Sequence, residues 1–115
     1  MHLTKLRLCC FRNIEELEFA PPEGTTLFVG DNGQGKTNLL EAMYFLSFGK
    51  SFRTAAPREC IRHGARQCRI EGTVRRGALE RDLEVRLTPD DKKMFLFGKQ
   101  TGIDGFVGNL HLLAF

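Results

Sequence analysis

Two runs of alternating hydrophobic and polar residues at the start of the chain predict two strands. The first run covers Leu3 to Phe11 and has Leu6, Leu8 and Cys10 on one side and Lys5, Arg7 and Cys9 on the other. The second covers Ile14 to Phe19, with Leu17 and Phe19 predicted inward and Glu16 and Glu18 outward. A period of two is typical of half-buried strands. Because only Arg12 and Asn13 separate the runs, we expect an antiparallel pair.

A third apolar run, Thr25 to Val29, is rich in β-branched residues and has the character of a buried central strand. The segment from Asn38 to Phe48 is instead apolar nearly all the way round, which indicates a mostly buried helix. Gly49 follows in the position where a left-handed residue ends a helix. We therefore predict a buried strand and a buried helix on either side of residues 30–37.

The second half of the chain predicts an antiparallel sheet. Cys68 to Arg75 and Leu79 to Leu87 form a hairpin turned at Arg76–Gly77–Ala78, with Leu83, Val85 and Leu87 inward and Asp82, Glu84 and Arg86 outward. A further strand is predicted over Lys93 to Phe97. An irregular segment is predicted over Gly98 to Gly102. Ile103 to Leu110 suits a short helix, and Leu112 to Phe115 begins another apolar segment. Because domains seldom end inside an apolar run, we expect the chain to be the N-terminal portion of a longer protein.

The composition adds few constraints on function. The 115 residues carry a net charge of +3, which permits an anionic partner without requiring one. The four cysteines are Cys9, Cys10, Cys60 and Cys68, and they form no CxxC pair. Adjacent residues of a strand face opposite ways, so Cys9 and Cys10 are not expected to share a metal ion. Reduced thiols in a cytoplasmic protein are the expectation, and neither a bilayer-spanning run nor a signal peptide is present.

The segment between the predicted strand and helix carries the candidate chemistry. Gly30-Asp31-Asn32-Gly33-Gln34-Gly35-Lys36-Thr37 matches the phosphate-binding pattern GxxxxGK[ST]. Its glycines let successive backbone N–H groups approach phosphate oxygens, and the N-terminus of the following helix favours an anion further. Lys36 would reach the β- and γ-phosphates, and the Thr37 hydroxyl would ligate Mg²⁺. The motif and its context predict binding of a nucleoside triphosphate with Mg²⁺.

The residues around this loop resemble a known family. The run from Leu6 to Ile14, with Phe11-Arg12-Asn13, resembles the opening of SMC-like ATPase heads. Three segments are similar to RecF, a family of bacterial recombination proteins: Asn32 to Ala42, Tyr44 to Ser47 and Gly49 to Thr54. The resemblance is dense over residues 6 to 54 and looser after that. Cys10 and Phe97 depart from it, since each stands where the family usually has Asn.

The resemblance implies an α/β fold of the ABC/SMC-head P-loop type, with an antiparallel sheet beside the nucleotide-binding strand, loop and helix. Residues 1–54 would be the P-loop core and residues 55–115 an antiparallel β subdomain. It also carries a nucleotide-binding set onto this sequence: Gly30, Asp31, Asn32, Gly33, Gln34, Gly35, Lys36, Thr37, Asn38, Arg12, Asn13 and Arg53. Arg12 and Asn13 would lie beside the nucleotide, and Arg53 would approach the γ-phosphate or DNA. The alternative for Arg53 is a surface salt bridge.

The same resemblance implies ATP-driven homodimerisation, binding to single-/double-strand DNA junctions, and loading of RecA with RecO and RecR in recombinational repair and replication-fork maintenance. ATP hydrolysis by such heads needs an acidic Walker B strand and an LSxGQ signature. No segment fits the first. Leu46-Ser47-Phe48-Gly49-Lys50 resembles the second, but it ends a helix instead of starting one. A weak, DNA-stimulated ATPase is thus expected of the full-length dimer and not of this chain alone.

Two alternatives remain open at this point. The chain could belong to another P-loop enzyme, a small kinase or a GTPase, although no NKxD base-recognition motif is present. It could also be a structural lobe without activity of its own. Basic residues of the second half could contact DNA phosphates: Arg75, Arg76, Arg81, Lys92, Lys93 and Lys99. Because Glu71, Glu80, Asp82 and Glu84 alternate with them, an ordinary charged sheet face is the expectation for any one of them.

Overall fold

The computed structural model describes residues 2–20 and 33–110, with residues 2 and 33–36 described by their backbone alone. Two helices and six strands lie in these ranges, together with a 3-10 turn at Pro57–Cys60. The strands are β1 (His2–Phe11), β2 (Ile14–Phe19), β3 (Cys68–Arg76), β4 (Leu79–Thr88), β5 (Asp91–Leu96) and β6 (Lys99–Thr101). The helices are α1 (Gly33–Phe48) and α2 (Ile103–Phe106).

All six strands form one antiparallel sheet in the order β2-β1-β3-β4-β5-β6. Helix α1 packs on one face of this sheet, against β3 and β4. Gly72 of β3 makes the close approach possible, because a Cβ atom at this position would lie 2.5 Å from Leu46 Cδ1 of α1. The apolar residues of the inner sheet face and of α1 form a single buried core. The helix that begins with the phosphate-binding motif is therefore held on the sheet along its length.

Much of the predicted order along the chain is confirmed. Strands β1 and β2 pair antiparallel across the two-residue connection, with Phe11 opposite Ile14. The hairpin of β3 and β4 turns at Gly77–Ala78 as predicted, and Leu83, Val85 and Leu87 are fully buried. Helix α1 ends at Phe48, and Gly49 adopts φ +72° and donates its N–H to the Phe45 carbonyl. Residues 46–50, which resemble a signature motif, thus lie at the end of a helix, as expected.

The predicted face of Cys10 and the prediction that Cys9 and Cys10 point to opposite faces are wrong. Cys10 adopts φ +57°, a left-handed conformation, so the alternation of β1 breaks before the strand ends. Phe11 instead continues the buried face and is fully inaccessible, whereas Cys10 is only half-buried. As a result the Sγ atoms of Cys9 and Cys10 lie 3.9 Å apart and do not point to opposite faces.

The segment after β5 is more ordered than the sequence predicts. Gly98 to Gly102 contains strand β6, which pairs with β5 through a tight turn at Phe97 and Gly98. Both turn residues have positive φ, 54° for Phe97 and 79° for Gly98, which is the geometry of a two-residue hairpin. The sequence does not indicate this turn, because a bulky residue such as Phe97 rarely adopts a positive φ. The predicted helix over Ile103 to Leu110 is confirmed only for the four residues of α2.

The division into residues 1–54 and 55–115 stays a prediction, although strands from both parts share one sheet through the pairing of β1 with β3. Other expectations fall on residues outside the described ranges. These are the strand over Thr25–Val29, the first part of the phosphate-binding motif at Gly30–Asn32, and the apolar segment Leu112–Phe115.

Candidate nucleotide-binding site

The later part of the phosphate-binding motif, residues 33–37, forms the beginning of α1. The first N–H groups of a helix have no partner within it, and they carry the positive end of the helix dipole. The first turn of α1 contains no acidic residue to neutralise that end. Its backbone therefore offers the kind of surface that binds a phosphate group.

Two turns into the same helix, Glu41 is completely buried. Both of its carboxylate oxygens are bonded to Arg12, with Nε donating to Oε1 at 2.7 Å and Nη2 donating to Oε2 at 2.7 Å. Ser51 Oγ donates to Oε2 at 2.5 Å. A bidentate arginine–carboxylate pair of this kind is among the stronger interactions that side chains make. It ties the connection between β1 and β2 to the helix of the phosphate-binding motif.

The electrostatics of the cluster keep Glu41 ionised. Burial by itself would raise the pKa of Glu41, but the hydrogen bonds from Arg12 and Ser51, with the charges of Arg12 and Arg53, outweigh it and lower this pKa below the ordinary value of 4.5. In turn, the hydrogen bond with Glu41 raises the pKa of Arg12 despite its own burial. Both groups therefore carry their charge at neutral pH.

Arg53 joins this cluster from the segment after α1. Its Nη1 donates to Asn38 Oδ1 at 2.9 Å and to Glu41 Oε1 at 3.1 Å. The Asn38 amide Nδ2 donates in turn to Asn13 Oδ1 at 2.8 Å. Arg53 thus forms a salt bridge, as the alternative has it, but with a partner that is fully buried.

We call these residues the Glu41 cluster: Arg12, Asn13, Asn38, Glu41, Ser51 and Arg53. The structure thus brings together four residues that the sequence predicts to bind nucleotide. Asn38 follows Thr37 directly, so the cluster lies within about one helical turn of the motif, or some 5 Å along the axis. Two guanidinium groups share the Glu41 carboxylate, and Glu59 acts on Arg12 as a further negative charge.

Sequence reasoning missed Glu41 and Ser51. A signal for Glu41 was present, because it is the one charged residue in the apolar stretch from Asn38 to Phe48. A carboxylate on a helix that is apolar nearly all round must be buried, and a buried carboxylate needs cationic partners. No comparable sequence signal marks Ser51, which contacts the carboxylate because the chain turns back directly after α1.

The basic residues of the second half give a different picture. Arg69 pairs with Glu71 and Glu84, and Arg86 pairs with the same Glu84 while its guanidinium lies 4.2 Å from the centre of the Phe95 ring. This face is the interleaved charged surface that the sequence predicts. Among the described residues, Arg75 and Arg76 at the hairpin turn form no ion pair.

Comparison with known proteins agrees with the fold. An AAA domain family model matches residues 5–107, so the chain belongs to the AAA domain family. Within that class, the resemblance to RecF is confirmed. The chain is 41% identical over 116 residues to the DNA replication and repair protein RecF of Geobacter sp. strain M21, and 40% identical to the same protein of Lactobacillus johnsonii. It is covered completely in both matches and spans only 32% and 31% of these relatives.

Solved structures give the same result. The structure of the recombination mediator protein RecF-ATP in the RecFOR pathway superposes with a TM-score of 0.84 at 28% identity, covering 96% of this chain and 31% of that one. The SMC head domain from Thermotoga maritima superposes with a TM-score of 0.68 over 91% of this chain and 40% of its own, and at 22% identity it supports the fold alone. The predicted α/β fold of the P-loop, ABC/SMC-head type is thereby confirmed.

Proposed function

We propose that this chain supplies the Walker A half of the ATP site in a DNA replication and repair protein of the RecF type. The observation that supports the proposal is the Glu41 cluster, which joins Arg12 and Arg53 to the helix that begins with residues 33–37 of the motif. Two guanidinium groups and the N-terminus of that helix suit the polyanionic tail of a nucleoside triphosphate. RecF-ATP among the similar solved structures supports ATP as that nucleotide.

The motif residues have distinct roles in this proposal. Backbone N–H groups of Gly30 to Lys36 hold the phosphates, and the Lys36 ammonium group neutralises the β- and γ-phosphates. Thr37 supplies one oxygen to Mg²⁺, whose remaining ligands come from phosphate oxygens and water, as is usual for this ion. No set of three or more metal-ligating side chains exists among the described residues, so the fit to Mg²⁺ depends on the bound triphosphate.

The residues outside the motif act on the edges of the nucleotide. Arg12 and Asn13 flank it from the connection between β1 and β2, with Arg12 oriented by its two bonds to Glu41. Arg53 extends toward the γ-phosphate from its position against Asn38. An arginine that contacts a γ-phosphate distinguishes a triphosphate from a diphosphate, which is the requirement for a nucleotide-driven switch.

For the whole protein we propose ATP-dependent dimerisation, binding to single-/double-strand DNA junctions, and promotion of RecA loading with RecO and RecR in the cytoplasm. The similarity to RecF proteins of DNA replication and repair supports this direction. Within the described residues, neither helix has the length and apolar character needed to cross a membrane. A weak ATPase activity, stimulated by DNA, belongs to the dimer because this chain contains no Walker B sequence.

Nucleotide binding by the full-length protein tests the first part of the proposal. Lys36→Ala should weaken ATP binding about tenfold or more, since hydrogen bonds to charged groups contribute roughly 1.5–3 kcal/mol. Lys50→Ala is the matched control, because Lys50 is an exposed lysine just beyond the end of α1, and its ATP affinity should stay at the wild-type value. Equal affinities of the two variants would contradict a phosphate site at the motif.

Binding to gapped DNA tests the second part, with ATP, with ADP and without nucleotide. ATP should strengthen binding of the wild-type protein, and Lys36→Ala should remove that increment. Phosphoryl transfer to a small molecule would favour the kinase alternative, and preference for GTP would favour a GTPase. Absence of any nucleotide binding would favour the alternative of a structural lobe without activity of its own.

A further inference from the structure

A cavity of about 540 Å³ lies at the C-terminal end of α1, between the segment that follows this helix and strands β4 and β5. Its inner wall is apolar, because it contains Phe45, Cys60 and Leu87, each at most 3% exposed. Two lysines, Lys50 and Lys92, also line it. We propose that this cavity binds an acidic peptide segment of a partner protein, with an apolar side chain inside it and carboxylates at the two lysines.

The other polar side chains of the wall already have partners. Ser51 Oγ donates to Glu41 Oε2, and Arg53 Nη1 donates to Glu41 Oε1. Thr54 Oγ1 accepts a backbone N–H at 3.0 Å. Among the described residues, no carboxylate lines the cavity, and neither of its two lysines forms an ion pair. The wall therefore offers two positive charges to an anion from outside.

The acidic residues next to Lys92 are engaged elsewhere. Asp90 pairs with Arg58 at 3.3 Å, and Asp91 Oδ1 accepts the backbone N–H of Lys92 at 2.8 Å. Burial lowers the pKa of Lys92, and the charge of Lys50 lowers it further. The two ammonium groups are thus close enough to repel each other. A carboxylate bound between them would offset this repulsion.

The size and the lining of the cavity suit an apolar group attached to an anion. Its volume falls within the range of about 300–1,000 Å³ that is usual for ligand sites. Ala55, Ala56 and Pro57 form part of the wall, and so does Phe52, which is 43% exposed. The cavity therefore opens to solvent beside an aromatic ring. Aromatic residues are enriched where proteins bind one another.

The same lining favours a peptide over a nucleic acid. Single-stranded nucleic acids bind along grooves of positive charge, and their bases stack on exposed aromatic side chains. Here the ring of Phe52 is already in edge contact with Tyr44, with ring centres 5.2 Å apart. Ala55, Ala56 and Pro57 offer no side-chain hydrogen bond to the polar edge of a base. An apolar side chain of a peptide needs no such partner.

The two lysines lie far from the proposed nucleotide site. Residues 33–37 of the motif begin α1, whereas Lys50 lies beyond its other end, and a helix of 16 residues is about 24 Å long. Only Ser51 and Arg53 belong both to the wall and to the Glu41 cluster. The proposal therefore does not rest on nucleotide binding, and the two sites can be tested separately.

Binding of a fluorescein-labelled peptide, Asp-Asp-Phe-Asp-Asp, to the full-length protein without nucleotide tests the proposal by fluorescence anisotropy. This peptide should bind. A peptide with glycine in place of its phenylalanine should bind about tenfold more weakly or worse, because it buries no apolar side chain. A peptide with lysines in place of the aspartates should not bind.

Lys50→Glu and Lys92→Glu should each lower the affinity for the acidic peptide about tenfold or more. Lys93→Glu is the matched control, because Lys93 is exposed on the opposite face of β5 and its replacement changes the net charge equally. Its affinity should stay within about twofold of the wild-type value. Lys36→Ala should bind the peptide as the wild type does, so failure of the nucleotide site and failure of the peptide site are separate outcomes.

Wild-type affinity in Lys50→Glu, or an equal loss in Lys93→Glu and Lys92→Glu, would overturn the proposal. Equal binding of the glycine peptide would do the same, because the apolar wall would then play no part. Displacement of the labelled peptide by a single-stranded thymidine oligonucleotide at lower concentration than by unlabelled peptide would assign the cavity to nucleic acid instead. Thermal melts of each variant exclude unfolding as the cause of a loss.

Discussion

The two faces of the sheet carry the same pairing of arginine with glutamate in opposite environments. On the inner side, Arg12 and Arg53 meet a glutamate, Glu41, that is fully buried. On the outer side, Arg69 and Arg86 meet Glu84, with roughly two fifths of each arginine side chain exposed. In both places two arginines share one glutamate. The energies differ because a charge removed from water must be compensated by its partners, whereas water itself screens an exposed charge.

The comparison shows which charges are available for function. On the outer face Arg69 lies opposite Arg86 and Glu71 opposite Glu84, and the arginines form their ion pairs with these glutamates. In the Glu41 cluster two cations share one carboxylate, about two turns along α1 from its first residue. A local excess of one sign, held rigidly, is what attracts a charged ligand. The proposed nucleotide site draws on the inner cluster.

The largest predicted effect is that of neutralising the inner carboxylate. Glu41→Gln keeps the shape of the side chain but leaves two guanidinium groups without a countercharge. Removing one partner of a buried pair costs about 3–5 kcal/mol, so we expect the free energy of unfolding in urea to fall by this amount. A loss below about 1 kcal/mol would be no larger than the contribution of an exposed ion pair, and the two faces would then not differ in the energy of their pairs.

Within the cluster, the two arginines should differ. Arg12 binds Glu41 through two nitrogens at 2.7 Å, while Arg53 uses one nitrogen at 3.1 Å. If Arg53 is removed, Glu41 keeps its bonds to Arg12 and Ser51. We therefore expect Arg12→Ala to lower the free energy of unfolding by about 3 kcal/mol and Arg53→Ala by about 1 kcal/mol.

Nucleotide affinity provides a second measurement on the same pair of variants. Arg53→Ala should weaken ATP binding more than ADP binding, because its proposed contact is with the γ-phosphate. An unchanged ratio of the two affinities would show that Arg53 has only a structural role. Denaturation of both variants without nucleotide separates the loss of stability from the loss of binding.

The inner face also depends on a close approach of helix and sheet at Gly72. A Cβ atom there would lie 2.5 Å from Leu46 Cδ1 and 3.0 Å from Leu3 Cδ1, and both leucines are buried. Overpacking of this kind costs roughly 1–3 kcal/mol, which is the loss of stability we expect for Gly72→Ala. Gly102→Ala is the control, since a Cβ atom at Gly102 meets nothing within 4 Å. Similar melting temperatures for the two variants would show that α1 can move away from β3.

Acid provides a test of the inner carboxylate without a change of packing. The pKa of Glu41 is lower in the folded protein than its ordinary value of 4.5. Its stabilising contribution is therefore complete above that value and is lost as the pH falls through the lower, folded-state pKa. This one group adds at most about 1.4 kcal/mol per pH unit to the slope. Glu41→Gln should flatten the dependence of stability on acidic pH, and an unchanged slope would contradict a lowered pKa.

The inner and outer faces also differ in how well the sequence predicts them. Alternation along β3 and β4 is enough to place Leu83, Val85 and Leu87, because a strand with one buried face leaves a period of two. The family resemblance brought Arg12, Asn13, Asn38 and Arg53 into one set, and the structure brings these four together.

Three features required the structure because they depend on contacts between distant segments. Cys10 leaves the strand pattern because its carbonyl is bonded to Arg62, which is 52 residues away by number. Strand β6 turns at Phe97, a residue that rarely adopts the positive φ it has here. Ser51 reaches Glu41 because the chain reverses after α1. Local sequence patterns report local preferences, and each of these positions is decided by a tertiary contact.

The smallest predicted effect belongs to the outer face. Glu84→Gln removes the countercharge of Arg69 and Arg86, as Glu41→Gln does for the inner pair, but here both guanidinium groups can turn to water. Arg86 also keeps its place over the Phe95 ring. Since exposed ion pairs contribute about 0–1 kcal/mol, we expect a change in the free energy of unfolding below about 1 kcal/mol, and less still in high salt. Urea denaturation of the two glutamine variants side by side measures the difference directly. A loss for Glu84→Gln as large as that for Glu41→Gln would mean that burial does not separate the two faces.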